Sequence, residues 1–112
     1  MNINVEKIIQ RNKAASDAKW ALYVAKKQGI KVTEDITLGV TDSDRAAFSQ
    51  LLVLLREAQE LSTDKEAFAN SVYPITDVKG ASHIVTVTEL RNILVTYGMM
   101  YQSIWAAANT TI

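Results

Sequence analysis

The sequence predicts an α+β domain: three helices packed on a small antiparallel sheet, in the order helix, strand, helix, hairpin, helix. Three observations carry that reading. The C-terminal stretch holds Leu90, Ile93, Leu94, Tyr97, Tyr101, Ile104, Trp105 and Ala108 at helical spacing, the signature of a long amphipathic helix. Two β-type runs, Val72 to Thr76 and Ile84 to Thr86, flank the turn signal Lys79-Gly80. An alanine-rich N-terminal run stops at Gly29, where a left-handed helix cap belongs. With 112 residues, the chain is expected to form a single domain over 1–112 with a modest core.

Each element has its own local cause. From about Asn4 to Gln28, Ala14, Ala15, Ala18, Ala21 and Ala25 favour helix. Ile8, Ala15, Ala18, Leu22 and Ala25 share one stripe of it, and Lys26 and Lys27 suit the negative end of the helix dipole. Val32, Ile36, Leu38 and Val40 then alternate in part, as in a short strand or hairpin arm. Thr41-Asp42-Ser43-Asp44 offers several helix N-caps. The helix behind them, about Ser43 to Leu61, buries Phe48, Leu51, Leu52, Leu55 and Ala58. Ser62 to Ser71 has no clear period, although Asp64 to Asn70 can form one or two helical turns. Pro74 argues for an edge strand, because it has no backbone N–H to donate. Thr86 and Glu89 have capping-box spacing, with Val85 and Leu90 placed as a hydrophobic staple. The last helix reaches about Asn109, roughly 33 Å at 1.5 Å per residue.

Composition narrows the function classes. Hydrophobic residues at 48% and charged residues at 21% are ordinary globular values. Twelve basic residues balance twelve acidic ones, so no broad electrostatic footprint for nucleic acid or an anionic membrane is expected. The distribution is uneven. Residues 1–31 hold seven basic and two acidic side chains, net +5, whereas residues 32–66 hold three basic and eight acidic ones, net −5. Such opposed segments favour packing side by side, or head to tail with another copy. With no cysteine, disulfides and thiolate metal sites are excluded. Met1 to Lys7 lacks the apolar core of a signal peptide, and the longest apolar run, Leu51 to Leu55, is far too short to span a bilayer. A soluble protein is expected.

Little in the sequence suggests catalysis. His83 is the single histidine, and a general base needs a nucleophile or an orienting carboxylate beside it. Asp77 is placed to lie across the hairpin from His83, but a pair of this kind is more often surface decoration. Asp42, Asp44 and Asp35 form an acidic cluster without the further oxygen ligands, glycine turn and closing glutamate of a calcium loop; helix capping explains Asp42 and Asp44 more simply. Glycine-rich phosphate loops, zinc spacings and Gly-x-Ser-x-Gly elbows do not occur. Lys19, Lys26 and Lys27 have only Trp20 and Tyr23 as neighbouring aromatics, so a solvated face is the better reading there. We therefore expect no catalytic residues, cofactor, metal or small-molecule substrate.

The last helix is the richest feature. Besides its core stripe it carries Val87, Val95, Met99 and Gln102 on other faces, and a helix apolar over more than half its circumference lies deep in a core or meets a partner. A chain of this size has difficulty burying such a helix fully. The candidate protein-contact surface is accordingly Val95, Met99, Met100, Tyr101, Gln102 and Trp105; the plainer expectation is that Met99 and Met100 fill gaps beneath the sheet.

The order of signals resembles a domain family of unknown biochemical function found in bacteriophage and prophage tail proteins, often associated with tail fibres. The resemblance covers about Ile8 to Ile112. It rests on an N-terminal helix with Arg11-Asn12 that ends at Gly29-Ile30 and on a short β stretch closing on Thr41-Asp42-Ser43. An alanine- and leucine-rich helix follows, then a hairpin leading into Val85-Thr86-Val87-Thr88-Glu89-Leu90, and an aromatic last helix with a terminal isoleucine. Where the family usually has a tryptophan and an Asp/Asn-Gly hairpin before that helix, this chain has Tyr73-Pro74 and Lys79-Gly80. The family has no catalytic motif. The resemblance implies a structural or assembly role in a virion put together in the host cytoplasm, with other tail proteins and the chain itself as partners. The alternative expectation is a cytosolic adaptor, chaperone or regulator that binds one protein partner.

Overall fold

The computed structural model describes residues 5–110, the side chains of residues 5, 8 and 110 excepted. It is an α+β fold, with four helices rather than three and two small antiparallel sheets rather than one. Helix α1 (Val5–Gln28) leads into the hairpin β1 (Ile30–Lys31) and β2 (Thr37–Leu38). Helices α2 (Asp42–Leu61) and α3 (Lys65–Asn70) follow, then the hairpin β3 (Val72–Thr76) and β4 (Ser82–Thr86), and finally α4 (Val87–Thr110).

The turns and caps form where local chemistry places them. Gly29 takes φ +84°, and its N–H closes α1 on the Ala25 carbonyl at 2.8 Å. A Cβ at Gly29 would lie 2.6 Å from the Leu38 carbonyl oxygen, so the cap is also a point of close approach between α1 and β2. Thr41 caps α2 in a reciprocal box with Asp44: the Thr41 hydroxyl accepts from Asp44 N at 3.1 Å, and an Asp44 carboxylate oxygen accepts from Thr41 N at 3.3 Å. Asp64 caps α3 by accepting from Ala67 N at 3.0 Å, and the Thr86 hydroxyl accepts from Glu89 N at the start of α4.

Two corrections to the expected order have physical reasons. The stretch from Ile30 to Val40, expected as a short strand or hairpin arm and counted as one strand in the order, is a hairpin of two residues per arm, Ile30 facing Leu38 and Lys31 facing Thr37. The Thr33 hydroxyl, which accepts from Ile36 N at 3.1 Å, folds the chain back between the arms. This hairpin does not merge with β3–β4. Val78 N, in the second hairpin's turn, donates to the Thr37 carbonyl at 2.8 Å, a tie between the hairpins rather than a shared ladder.

Helix α4 is the spine. It packs against α1, α2, α3 and both hairpins, and Leu90 at its base is fully buried together with Leu38. Val87, Ile93, Leu94 and Tyr97 of α4 complete the core with Ile30, Ile36, Val40, Leu55, Ile75 and Val85. The molecule measures 69 × 28 × 23 Å with a radius of gyration of 18.5 Å, against about 13 Å for a compact chain of this length. Helix α1 shows why. Ala15, Ala18, Leu22 and Ala25 of the predicted stripe are partly or fully buried, but Glu6, Lys7 and the residues from Ile9 to Ala14 are all exposed. The Ile8 side chain lies outside the described residues, as do Met1 to Asn4 and Ile112. The described side chains of that part of α1 therefore carry little of the core.

Candidate protein-contact surface

The flank of α4 turned away from the core is divided between ridge and groove. Val95 (45% exposed), Met99 (68%) and Trp105 (43%) stand out, and Gln102 beside them is exposed. Met100 and Tyr101, predicted with them, are instead half-buried and packed on the core. Three apolar side chains and one amide of the predicted surface thus face solvent, and two members support it from beneath. Met99 is the ridge. On one side lies a groove of about 750 Å³ between α2 and α4, walled by Phe48 and Leu52 opposite Val95, Gly98, Gln102 and Ala106. On the other lies a shallower depression of about 510 Å³ with Thr96, Met100, Ser103 and Ile104.

The groove is held rigidly on the α2 side. The Arg45 guanidinium sits 4.6 Å from the centroid of the Tyr101 ring and pairs with Asp42 one turn back, so a cation and an aromatic face close that end. Arg45 Nε is buried without a hydrogen-bond partner. Deeper in, Tyr97 meets Phe48 edge to face at 5.1 Å, and its hydroxyl donates to the Gly39 carbonyl at 2.6 Å. Burial, reinforced by the nearby Asp44 carboxylate, pushes the Tyr97 phenol up to about 12. Tyr97 therefore stays neutral and keeps donating, which ties α4 to the β2–α2 connection.

The α2 wall was not apparent from sequence. Phe48 and Leu52 are predicted core residues, and both are half-buried, their outer edges lining the groove. A core stripe read from one helix does not reveal which edge a neighbouring helix leaves open.

The hairpin does bring Asp77 and His83 together. His83 Nε2 lies 2.8 Å from Asp77 Oδ2, while Asp77 Oδ1 accepts from Lys79 N at 2.9 Å and Ala81 N at 3.0 Å. The bond from His83, with the two backbone N–H donors, holds the Asp77 carboxyl below its usual range. Among the described residues Asp77 is the only side chain hydrogen-bonded to His83. The carboxylate's partners are those of a turn being held shut.

Of the acidic cluster, only Asp44 acts as a cap. Asp44 closes the box with Thr41, Asp42 pairs with Arg45, and Asp35 N donates to Thr33 Oγ1 in the β1–β2 loop. Among the described residues no group of three or more His, Asp or Glu side chains is placed to hold a metal ion, and no helix is long and apolar enough to cross a membrane. Comparison with known protein families, curated proteins and solved structures finds no match to this chain.

Proposed function

We propose that this protein is a non-enzymatic structural or assembly protein of a bacteriophage tail, of the tail-fibre or tail-tip kind, working through contacts with other tail proteins and with itself. The observation that supports a contact role is the outer flank of α4. After α1, α2, α3 and both hairpins have packed on that helix, Val95 and Met99 still stand exposed at an apolar groove, and Trp105 is exposed further along the same helix. Large apolar side chains clustered at a groove are the usual form of a protein-contact site. The tail assignment is supported by the order of elements from Arg11-Asn12 to the aromatic last helix. Mass spectrometry of purified particles and assembly intermediates from a producing host tests it: the protein is expected in one or the other, and its absence from both would sink the tail reading.

The bounded groove between α2 and α4 favours one second reading, an adaptor or chaperone that clasps a single helical segment of one partner. That protein would form a complex of fixed stoichiometry outside particles. Met99→Glu and Trp105→Ala should abolish partner recovery under either reading while leaving the fold intact.

A further inference from the structure

We infer that the outward face of α1 is a docking strip for the outward face of α2 in a second copy of this chain. The inference concerns a different surface from the α4 flank and does not depend on the tail assignment. It begins with a spacing. On the side of α1 opposite its buried alanine stripe, Ile9, Lys13, Ser16, Trp20, Tyr23 and Lys27 recur at alternating steps of four and three. All of them are exposed. On the outer side of α2, Ala47, Gln50, Leu54, Glu57 and Leu61 recur at alternating steps of three and four, and all are exposed too. This alternation is the seam spacing by which two helices lie along one another. Both seams have apolar members that the monomer leaves in water, Trp20 at 65% and Leu61 at 85% exposure among them.

The two seams differ in charge, and the difference identifies the occupant. Lys19 and Lys26 flank the α1 seam, and Lys13 and Lys27 lie in it; the α2 seam contains Glu57 and is flanked by Glu60. These belong to the +5 and −5 segments of the chain. Within one copy both helices pack on α4, and the faces in question point away from the core, so each copy presents a basic strip and an acidic strip. The basic strip is also preorganised. Trp20 and Tyr23 stack with centroids 5.3 Å apart, and Lys27 Nζ lies 5.7 Å from the Tyr23 ring centre, which fixes a flat aromatic surface with cations at its rim. A partner for that surface needs an apolar ridge bordered by carboxylates, and Val53, Leu54 and Leu61 with Glu57 and Glu60 form one. Because the contact joins two different faces, it is heterologous: it closes where the rotation returns to the start and otherwise extends.

Sedimentation of the full chain over a range of concentrations, at low and at high salt, tests the inference. Association is expected at low salt and should weaken strongly at high salt, as the screening length falls from about 10 Å at 0.1 M to about 3 Å at 1 M. Two charge-reversed variants make the test specific: Lys19→Glu with Lys26→Glu on α1, and Glu57→Lys with Glu60→Lys on α2. Each alone should sediment as a monomer, and mixing the two should restore association, since each reversed strip then meets its complement. Circular dichroism confirms that both variants are folded. A wild-type monomer at all concentrations overturns the inference, as does failure of the mixture to associate. Association that survives both reversals but is lost in Met99→Glu also overturns it, and locates the contact on α4 instead, in keeping with the proposed function.

Discussion

Helices α1 and α4 have the same length, 24 residues each, and opposite relations to the fold. Helix α4 alternates Leu, Ile, Val and Tyr around most of its girth and touches every other part of the structure except β2 to a substantial degree. Helix α1 contributes alanines, Leu22 and Val24 to the packing, and the described side chains of its first turns are exposed. The difference shows that helix formation and core formation are separate tasks in this chain. Alanine makes α1 helical at low side-chain entropy cost but brings little apolar area to bury, so α1 lies against α4 as a close-fitting outrigger while α4 is the axis about which the rest condenses.

The sharpest way to break that contrast is to remove one large side chain from each helix. Leu90→Ala, at a fully buried position on α4, should cost about 2–5 kcal/mol of stability. Leu22→Ala, at a half-buried position on α1, should cost clearly less. Urea unfolding followed by circular dichroism reads both as shifts in midpoint. Equal losses would mean that α1 is as much part of the core as α4.

The sequence made this contrast partly legible. The C-terminal end of α1 is written in Gly29 and its preceding lysines, and the α4 stripe from Leu90 to Ala108 is found buried or half-buried at every position except Trp105. The turn at Lys79-Gly80 and the approach of His83 to Asp77 were legible, but the β3–β4 register was not, because the loop takes in Val78 as well and sets His83 opposite Ile75. Short elements were not legible. Two-residue strands and the six residues of α3 are too brief to establish a period, and α3 is recognisable only through Asp64 as its cap. The candidate surface was legible as a set of residues on α4 but not as a groove, because its second wall belongs to Phe48 and Leu52 of another helix.

A smaller effect is expected where α4 is fastened to the chain ahead of α2. Tyr97→Phe removes the donor to the Gly39 carbonyl and should cost about 1–2 kcal/mol, the range for a lost partly buried hydrogen bond. It should also change the alkaline limb of stability. The phenol's ordinary value is 10.0 and the folded one about 12, so folding favours the protonated form. That contribution is whole below pH 10 and is lost as pH rises towards 12. Thermal melts of wild type and variant should therefore converge over that window, whereas a constant gap would mean that the hydroxyl does not titrate as its burial dictates.

At the hairpin the expected change is local and acid-dependent. The Asp77 carboxyl is held below its ordinary 3.8 in the fold, so its contribution is complete above that value and is lost as pH falls through the lower, folded one. Asp77→Asn should remove this acid sensitivity and speed hydrogen exchange at Lys79 and Ala81, whose amides it anchors. The α4 amides should be unaffected, because the spine does not depend on that turn. If exchange quickened along α4 as well, the hairpin would be a structural partner of the spine rather than an attachment to it.

The smallest effect on stability should come from the most conspicuous aromatic residues of α1. Trp20 and Tyr23 are more than half exposed, and replacing both by alanine raises local helix propensity while removing one exposed stacking contact. The net change in unfolding free energy should stay within about 0.5 kcal/mol, as for other surface positions. Self-association should fall sharply in the same variant. That combination separates the two tasks within a single helix, since the alanine side of α1 serves folding whereas the aromatic side serves contact between copies. A double variant that lost stability in proportion to its association would show instead that α1 is held in place by those rings, and the outrigger would have to be counted with the core.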